Sequence, residues 1–123
     1  MYSLRIILIF LFFILASCTK NEKIVEAIEN KEIDLQMIDA YNEGMKALEN
    51  QDSFTAAKKF SEAELLYPQS KWAPRSALMA AYSYYIDSYY DDAIFEINRY
   101  LKVYPKHPRT DYAYYLLAIS YYN

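Results

Sequence analysis

Few side chains in this chain of 123 residues have the chemistry to react, and their spacing points to attachment rather than catalysis. The single cysteine, Cys18, follows the unbroken apolar run Ile6 to Leu15. A thiol reacts as its thiolate, and with no second cysteine there is no disulfide for Cys18 to form. The single histidine, His107, stands between Pro105 and Pro108 and lacks the companion ligands that a transition-metal site needs, so no metal is expected and His107 reads as a solvated loop residue. Asp91 and Asp92 resemble paired catalytic acids only in sequence. Neighbours on a helix diverge by about 100°, and acids in a first turn complement the helix dipole. One glycine in the whole chain leaves nothing to build a phosphate-cradling loop, a dinucleotide fold or tight β-hairpins. No catalytic set emerges, and the chain is not expected to be an enzyme.

The apolar run is too short to anchor as a membrane span and reads, with Arg5 before it, as the core of a signal peptide. Its end, Leu15-Ala16-Ser17-Cys18, resembles the bacterial lipobox, in which the thiol takes diacylglycerol before cleavage leaves the cysteine first. The resemblance implies a lipoprotein signal peptide over residues 1–17, and a lipidated N-terminus with a flexible tether over residues 18–34. A covalent lipid on Cys18 is then the one attached group, with no other cofactor. Each buried CH₂ contributes about 0.8 kcal/mol, so two or three acyl chains hold a protein on a membrane. Thr19, where inner-membrane retention commonly has aspartate, implies the periplasmic face of the outer membrane of a Gram-negative cell. Within the tether, Ile24, Val25 and Ile28 are the only clustered apolar residues. The chain has 13 basic and 16 acidic residues; loss of Arg5 with the leader leaves a charge of about −4, which supports neither nucleic-acid nor polybasic membrane contacts.

The rest must fold, and its pattern is helical and repeated. Tyr-Pro closes an apolar segment at Pro68 and again at Pro105, a step of 37 residues. Gly44, Ala81 and Ala118 share that register, as do Ala56 and Ala93. Small residues at fixed offsets let helices approach closely, and proline ends the second helix of each unit. One hairpin carries Ile38, Tyr41, Met45 and Leu48, then Ala56, Phe60, Ala63 and Leu66. The next carries Ala77, Leu78, Ala81, Tyr82 and Tyr85, then Ala93, Ile97, Tyr100 and Leu101. A third begins at Asp111. The expected fold is an all-α solenoid of antiparallel helical hairpins over residues 35–123, two full repeats and the first helix of a third. Since a solenoid end without a polar cap exposes its last apolar face, the chain is expected to be truncated at its C-terminus.

Gly44, Ala56, Phe60, Ala63 and Pro68 fall at the small, alanine, aromatic, alanine and proline positions of the tetratricopeptide repeat, which the hairpins resemble. Ala40 and Ala47 depart from it, standing where larger residues are usual, which is expected to weaken packing in the first hairpin. The stretches Tyr67-Pro-Gln-Ser-Lys-Trp-Ala-Pro and Arg99-Tyr-Leu-Lys-Val-Tyr-Pro-Lys-His-Pro-Arg-Thr-Asp-Tyr-Ala-Tyr-Tyr, after a lipobox, resemble the BamD (ComL) family of outer-membrane assembly lipoproteins. The resemblance implies a non-catalytic scaffold of the β-barrel assembly machinery, with a POTRA-containing barrel subunit, other machine subunits and unfolded outer-membrane protein segments as partners. Another repeat lipoprotein, serving pilus assembly or cell-wall coordination, fits the same pattern. In the repeat fold the first helices line a peptide groove, which here implies Tyr41, Met45, Arg75, Leu78, Tyr82, Tyr85, Tyr112, Tyr115 and Tyr122 as groove residues. Tyr84, Tyr100 and Tyr121 are expected in the core.

Overall fold

The computed structural model describes residues 21–123, with side chains from residue 30 onward. The expected signal peptide and the lipidation of Cys18 lie outside those residues. Among the described residues five helices follow one another: α1 Asn21–Glu49, α2 Ser53–Leu66, α3 Ala73–Ile86, α4 Tyr90–Val103 and α5 Thr110–Tyr122. Helix α1 starts well before Leu35, so residues 21–34 are helical where a tether is expected. That stretch has no proline or glycine and is rich in Glu, Lys, Ala and Ile, which hold helical backbone at little cost. The hairpins occupy the compact unit Ile33–Asn123. Within it α1 pairs with α2 and α3 with α4, while α5 opens a third unit: the all-α stack that the repeat predicts.

Both hairpin turns are built alike, one step of 37 residues apart. The Gln51 N–H donates to the Leu48 carbonyl (3.0 Å) and the Asp52 N–H to that of Ala47 (2.9 Å), with Gln51 at φ 62°. The Ser88 N–H donates to Tyr85 (3.1 Å) and the Tyr89 N–H to Tyr84 (3.0 Å), with Ser88 at φ 64°. These are left-handed helix stops, a position that usually takes glycine. The Asp52 carboxylate then caps α2 by accepting the Thr55 N–H at 3.0 Å; the Thr55 side chain first, and this N–H second, hold its pKa below the ordinary carboxylate value. The junctions between hairpins repeat as well. The Ser70 N–H donates to the Tyr67 carbonyl (3.0 Å) and the Ala73 N–H to that of Ser70 (3.3 Å); His107 to Tyr104 (3.1 Å) and Thr110 to His107 (3.0 Å) are their counterparts.

Small residues bring the helices together as expected in the two full hairpins. The buried Phe60 ring lies over Gly44 so closely that a Cβ there would stand 2.9 Å from it. Ala81 is fully buried in the equivalent place. Ala118, third in that row, is exposed, because no helix among the described residues covers that side of α5. Tyr121 is likewise 68% exposed, correcting its expected place in the core, whereas Tyr100 is buried and Tyr84 half-buried. Ala40 and Ala47 are both buried in the first core, where Tyr41 packs edge-on against Phe60 (centroids 5.1 Å apart) and at a tilt against Trp72 (5.5 Å).

A polar clamp joins the two second helices. Glu64 of α2 is buried, and its carboxylate accepts both Arg99 Nη atoms from α4, at 2.9 and 2.6 Å. The Tyr104 hydroxyl donates to the same carboxylate at 2.8 Å, and Arg99 Nε reaches Glu96 at 2.8 Å. A buried carboxylate is tolerable when so fully satisfied, and bidentate pairing with arginine fixes direction as well as charge.

Two outcomes follow from these contacts. Gln51→Gly and Ser88→Gly each relieve a left-handed side-chain residue and raise unfolding free energy by about 0.5–1 kcal/mol in urea titrations. Arg99→Met strands the Glu64 carboxylate and lowers stability by roughly 2–3 kcal/mol, a value discounted for the partly exposed guanidinium. Adding Glu64→Gln to that variant restores part of the loss.

Candidate functional site

The first helix of each hairpin carries the residues assigned to a groove, and the structure distributes them unevenly. Arg75, Leu78 and Tyr82 of α3 and Tyr112 of α5 surround one cavity of about 260 Å³. Spacing explains the α3 contribution: Leu78 and Tyr82 are one helical turn apart, and Arg75 is a turn before them. Two further residues complete the lining, Met79 of α3 and Arg109 of the junction before α5. Neither sits at a position the repeat assigns to the groove. Register places Arg109 in a junction, 37 residues after Trp72, but not in the cavity, which Trp72 does not line.

The other assigned residues are elsewhere. Tyr41 is 8% exposed and belongs to the first core; it meets the site only by supporting Arg75, whose guanidinium lies 5.6 Å from the Tyr41 ring centre and 5.2 Å from that of Trp72. Such stacking holds an arginine in place while leaving its donors free. Met45 is exposed on α1 and does not line the cavity. Tyr85 packs against Tyr90 at 5.9 Å, and Tyr115 stands exposed beside Tyr112 at 6.3 Å. Tyr122 is almost wholly exposed at the end of α5.

Burial first, then the neighbouring phenols of Tyr82, Tyr115 and Tyr85, push the Tyr112 hydroxyl above its ordinary pKa, against an opposing pull from Arg109. At physiological pH the phenol is neutral, as an ordinary tyrosine is, and presents both a donor and an acceptor. Two arginines on an aromatic and apolar wall can hold an extended chain by its carbonyls and any carboxylate while the rings cover its apolar side chains. His107, read from sequence as a solvated loop residue, is instead half-buried at the junction, with Nδ1 2.8 Å from the Tyr100 hydroxyl. Among the described residues no cluster of three or more His, Cys, Asp or Glu side chains is placed to hold a metal. No helix among them is long and apolar enough to cross a membrane.

Stacked antiparallel hairpins with these turns and this register define a helical-repeat protein of the tetratricopeptide type. The sequence model of the YfiO family, described as outer membrane lipoprotein, matches residues 33–123, and the chain belongs to that family. Curated relatives include the outer membrane protein assembly factor BamD of Caulobacter vibrioides, 36% identical over 83 residues that make up 68% of this chain and 27% of that protein. The BamD of Rickettsia prowazekii is 34% identical over 82 residues, 67% of this chain and 33% of the relative. That of Neisseria meningitidis serogroup B is 35% identical over 83 residues, 68% and 31% of the two chains. The matches thus cover between 27% and 33% of these relatives' length.

Burial is the first cause that raises the pKa of Tyr84, Tyr100, Tyr104 and Tyr112 alike. A raised folded pKa gives stability that is complete below the unfolded value, about 10 for tyrosine, and that is lost as pH climbs beyond it. Urea midpoints are therefore expected to fall above about pH 10, and Tyr112→Phe, with no proton to lose, to make that decline shallower.

Proposed function

We propose that this chain forms part of a non-catalytic subunit of the β-barrel assembly machinery, working at the periplasmic face of the outer membrane. It is anchored by lipid on Cys18, with partner subunits, a POTRA-containing barrel subunit among them, docking on the helical stack. The α3–α5 cavity takes extended segments of unfolded barrel proteins. The observation that carries this reading is the family match across the whole hairpin unit, residues 33–123, together with relatives named as outer membrane protein assembly factors. The cavity supports the ligand class: Arg75 and Arg109 on a wall of Tyr82, Tyr112 and Leu78 suit a chain that alternates apolar side chains with unpaired backbone groups.

The test uses an N-acetylated peptide alternating Tyr or Leu with Ser or Thr, free of Asp, Glu and His. Anisotropy titrations are expected to give saturable binding that Tyr82→Ala weakens about tenfold, as loss of a central aromatic contact does. In cells, Cys18→Ala is expected to move the chain from the membrane to the soluble fraction without loss of helical signal. Absence of barrel-machine subunits from detergent pull-downs of the unaltered protein would refute the assembly role.

A further inference from the structure

The two junctions between hairpins share a fold but not an acceptor. In the first, Ser70 Oγ accepts the Trp72 N–H at 3.3 Å and the Ala73 N–H at 3.1 Å. In the second, 37 residues on, the place of Ser70 is taken by His107, whose Nδ1 accepts the Arg109 N–H at 3.3 Å. A backbone N–H has only a hydrogen to offer, so Nδ1 is the unprotonated ring nitrogen and the Tyr100 hydroxyl, 2.8 Å away, must donate to it. Tyr100 is fully buried, and its counterpart in the first hairpin is the equally buried Ala63. The junction turn itself needs no more than a hydroxyl, as Ser70 demonstrates. What the histidine and its buried tyrosine add is a ring nitrogen that a proton converts from acceptor to donor.

We propose that His107 is a positioning residue for the α3–α5 cavity: its neutral ring fastens the backbone of Arg109 at the rim, and protonation of the ring releases it. The inference rests on that cavity being the peptide groove. A proton on Nδ1 turns this nitrogen into a donor. The Tyr100 hydroxyl, free to rotate, reverses and accepts from it, so the bond between the two rings survives. The Arg109 N–H has no such freedom and loses its partner. Burial raises the Tyr100 pKa, so its O–H persists wherever an imidazole titrates. Around the ring, Tyr100 comes from α4 with Tyr104 packed on it at 5.5 Å, and Lys106, Arg109 and Asp111 flank the histidine along the chain. The remaining His107 bonds are made by its main chain, to Tyr104 and Thr110, and do not titrate. The movable part is therefore Arg109, one of the residues that line the cavity.

The test follows His107 and Arg109 together by NMR of the full chain in detergent between about pH 5 and 8. The expected result is a ring in the Nε2–H tautomer at the alkaline end, with the Arg109 amide shift moving at the same midpoint as the His107 ring protons. His107→Ser, which installs the acceptor of the first junction, is expected to leave helical signal intact and hold the Arg109 amide still across the range. The neutral peptide described above is expected to bind the unaltered protein about two- to tenfold more weakly at the acid end, and the serine variant equally at both ends. An Arg109 amide indifferent to the His107 titration overturns the proposal whether or not the variant folds. So does an unchanged pH dependence in His107→Ser. If Arg109 follows His107 but the peptide binds at neither pH, the latch stands and the groove reading falls.

Discussion

The closest constraint in the molecule is the contact of one aromatic ring with a residue that has no side chain. Phe60 can sit against α1 only because position 44 is glycine, and its ring then excludes water from both helices of the first hairpin. From that contact a chain of aromatic packing runs outward. Phe60 supports Tyr41, Tyr41 and Trp72 stack, and Arg75 lies on both, which delivers a stacked guanidinium to the mouth of the cavity. In the second hairpin Ala81 serves where Gly44 serves in the first, buried at the same register. The approach of the helices is thus set by small residues, and each large ring has a place only where one of them makes room.

Two kinds of adhesion hold the stack, and they meet at the site. The faces between first and second helices are dry and alanine-rich, whereas the second helices are clamped to each other by the buried Glu64 carboxylate and Arg99. Tyr104 links that clamp to the cavity. Its hydroxyl donates to Glu64, while its carbonyl accepts the His107 N–H that begins the junction carrying Arg109. A charged group buried in the first repeat therefore braces the loop that lines the cavity in the second. Apolar nesting is tolerant of small slips in register; a bidentate ion pair is directional and is not.

Chemically the cavity presents aromatic and apolar side chains with two guanidinium groups. Tyrosine suits such a surface because each ring covers a large apolar area and ends in a hydroxyl that is content in water. The Tyr112 hydroxyl is neutral at physiological pH, as an ordinary phenol is, so the wall offers hydrogen bonds to the cavity without adding charge. Charge is confined to the two arginines, which leaves the cavity electropositive in a chain whose formal net charge is −3.

Periodicity alone determined the helical class, the hairpin boundaries at Pro68 and Pro105, and the nesting of Gly44 and Ala81, since a repeated fold must repeat its small residues and its helix stops in sequence. It could equally have yielded the left-handed pair Gln51 and Ser88, which share the register but lack the glycine that usually announces such a turn. Residues 21–34, whose polarity reads as a tether, have helical backbone, which their helix formers allow and their polarity alone did not indicate. Tertiary structure decided which face of each tyrosine is used. Tyr41 was drawn inward because Trp72, beyond the reach of any helical period, arrived to stack on it; Tyr121 and Ala118 stayed outside because no helix covers them among the described residues. It decided His107 and Arg109 for the same reason. Their roles depend on what a turn brings within 3.3 Å, a distance that residue spacing along the chain does not encode.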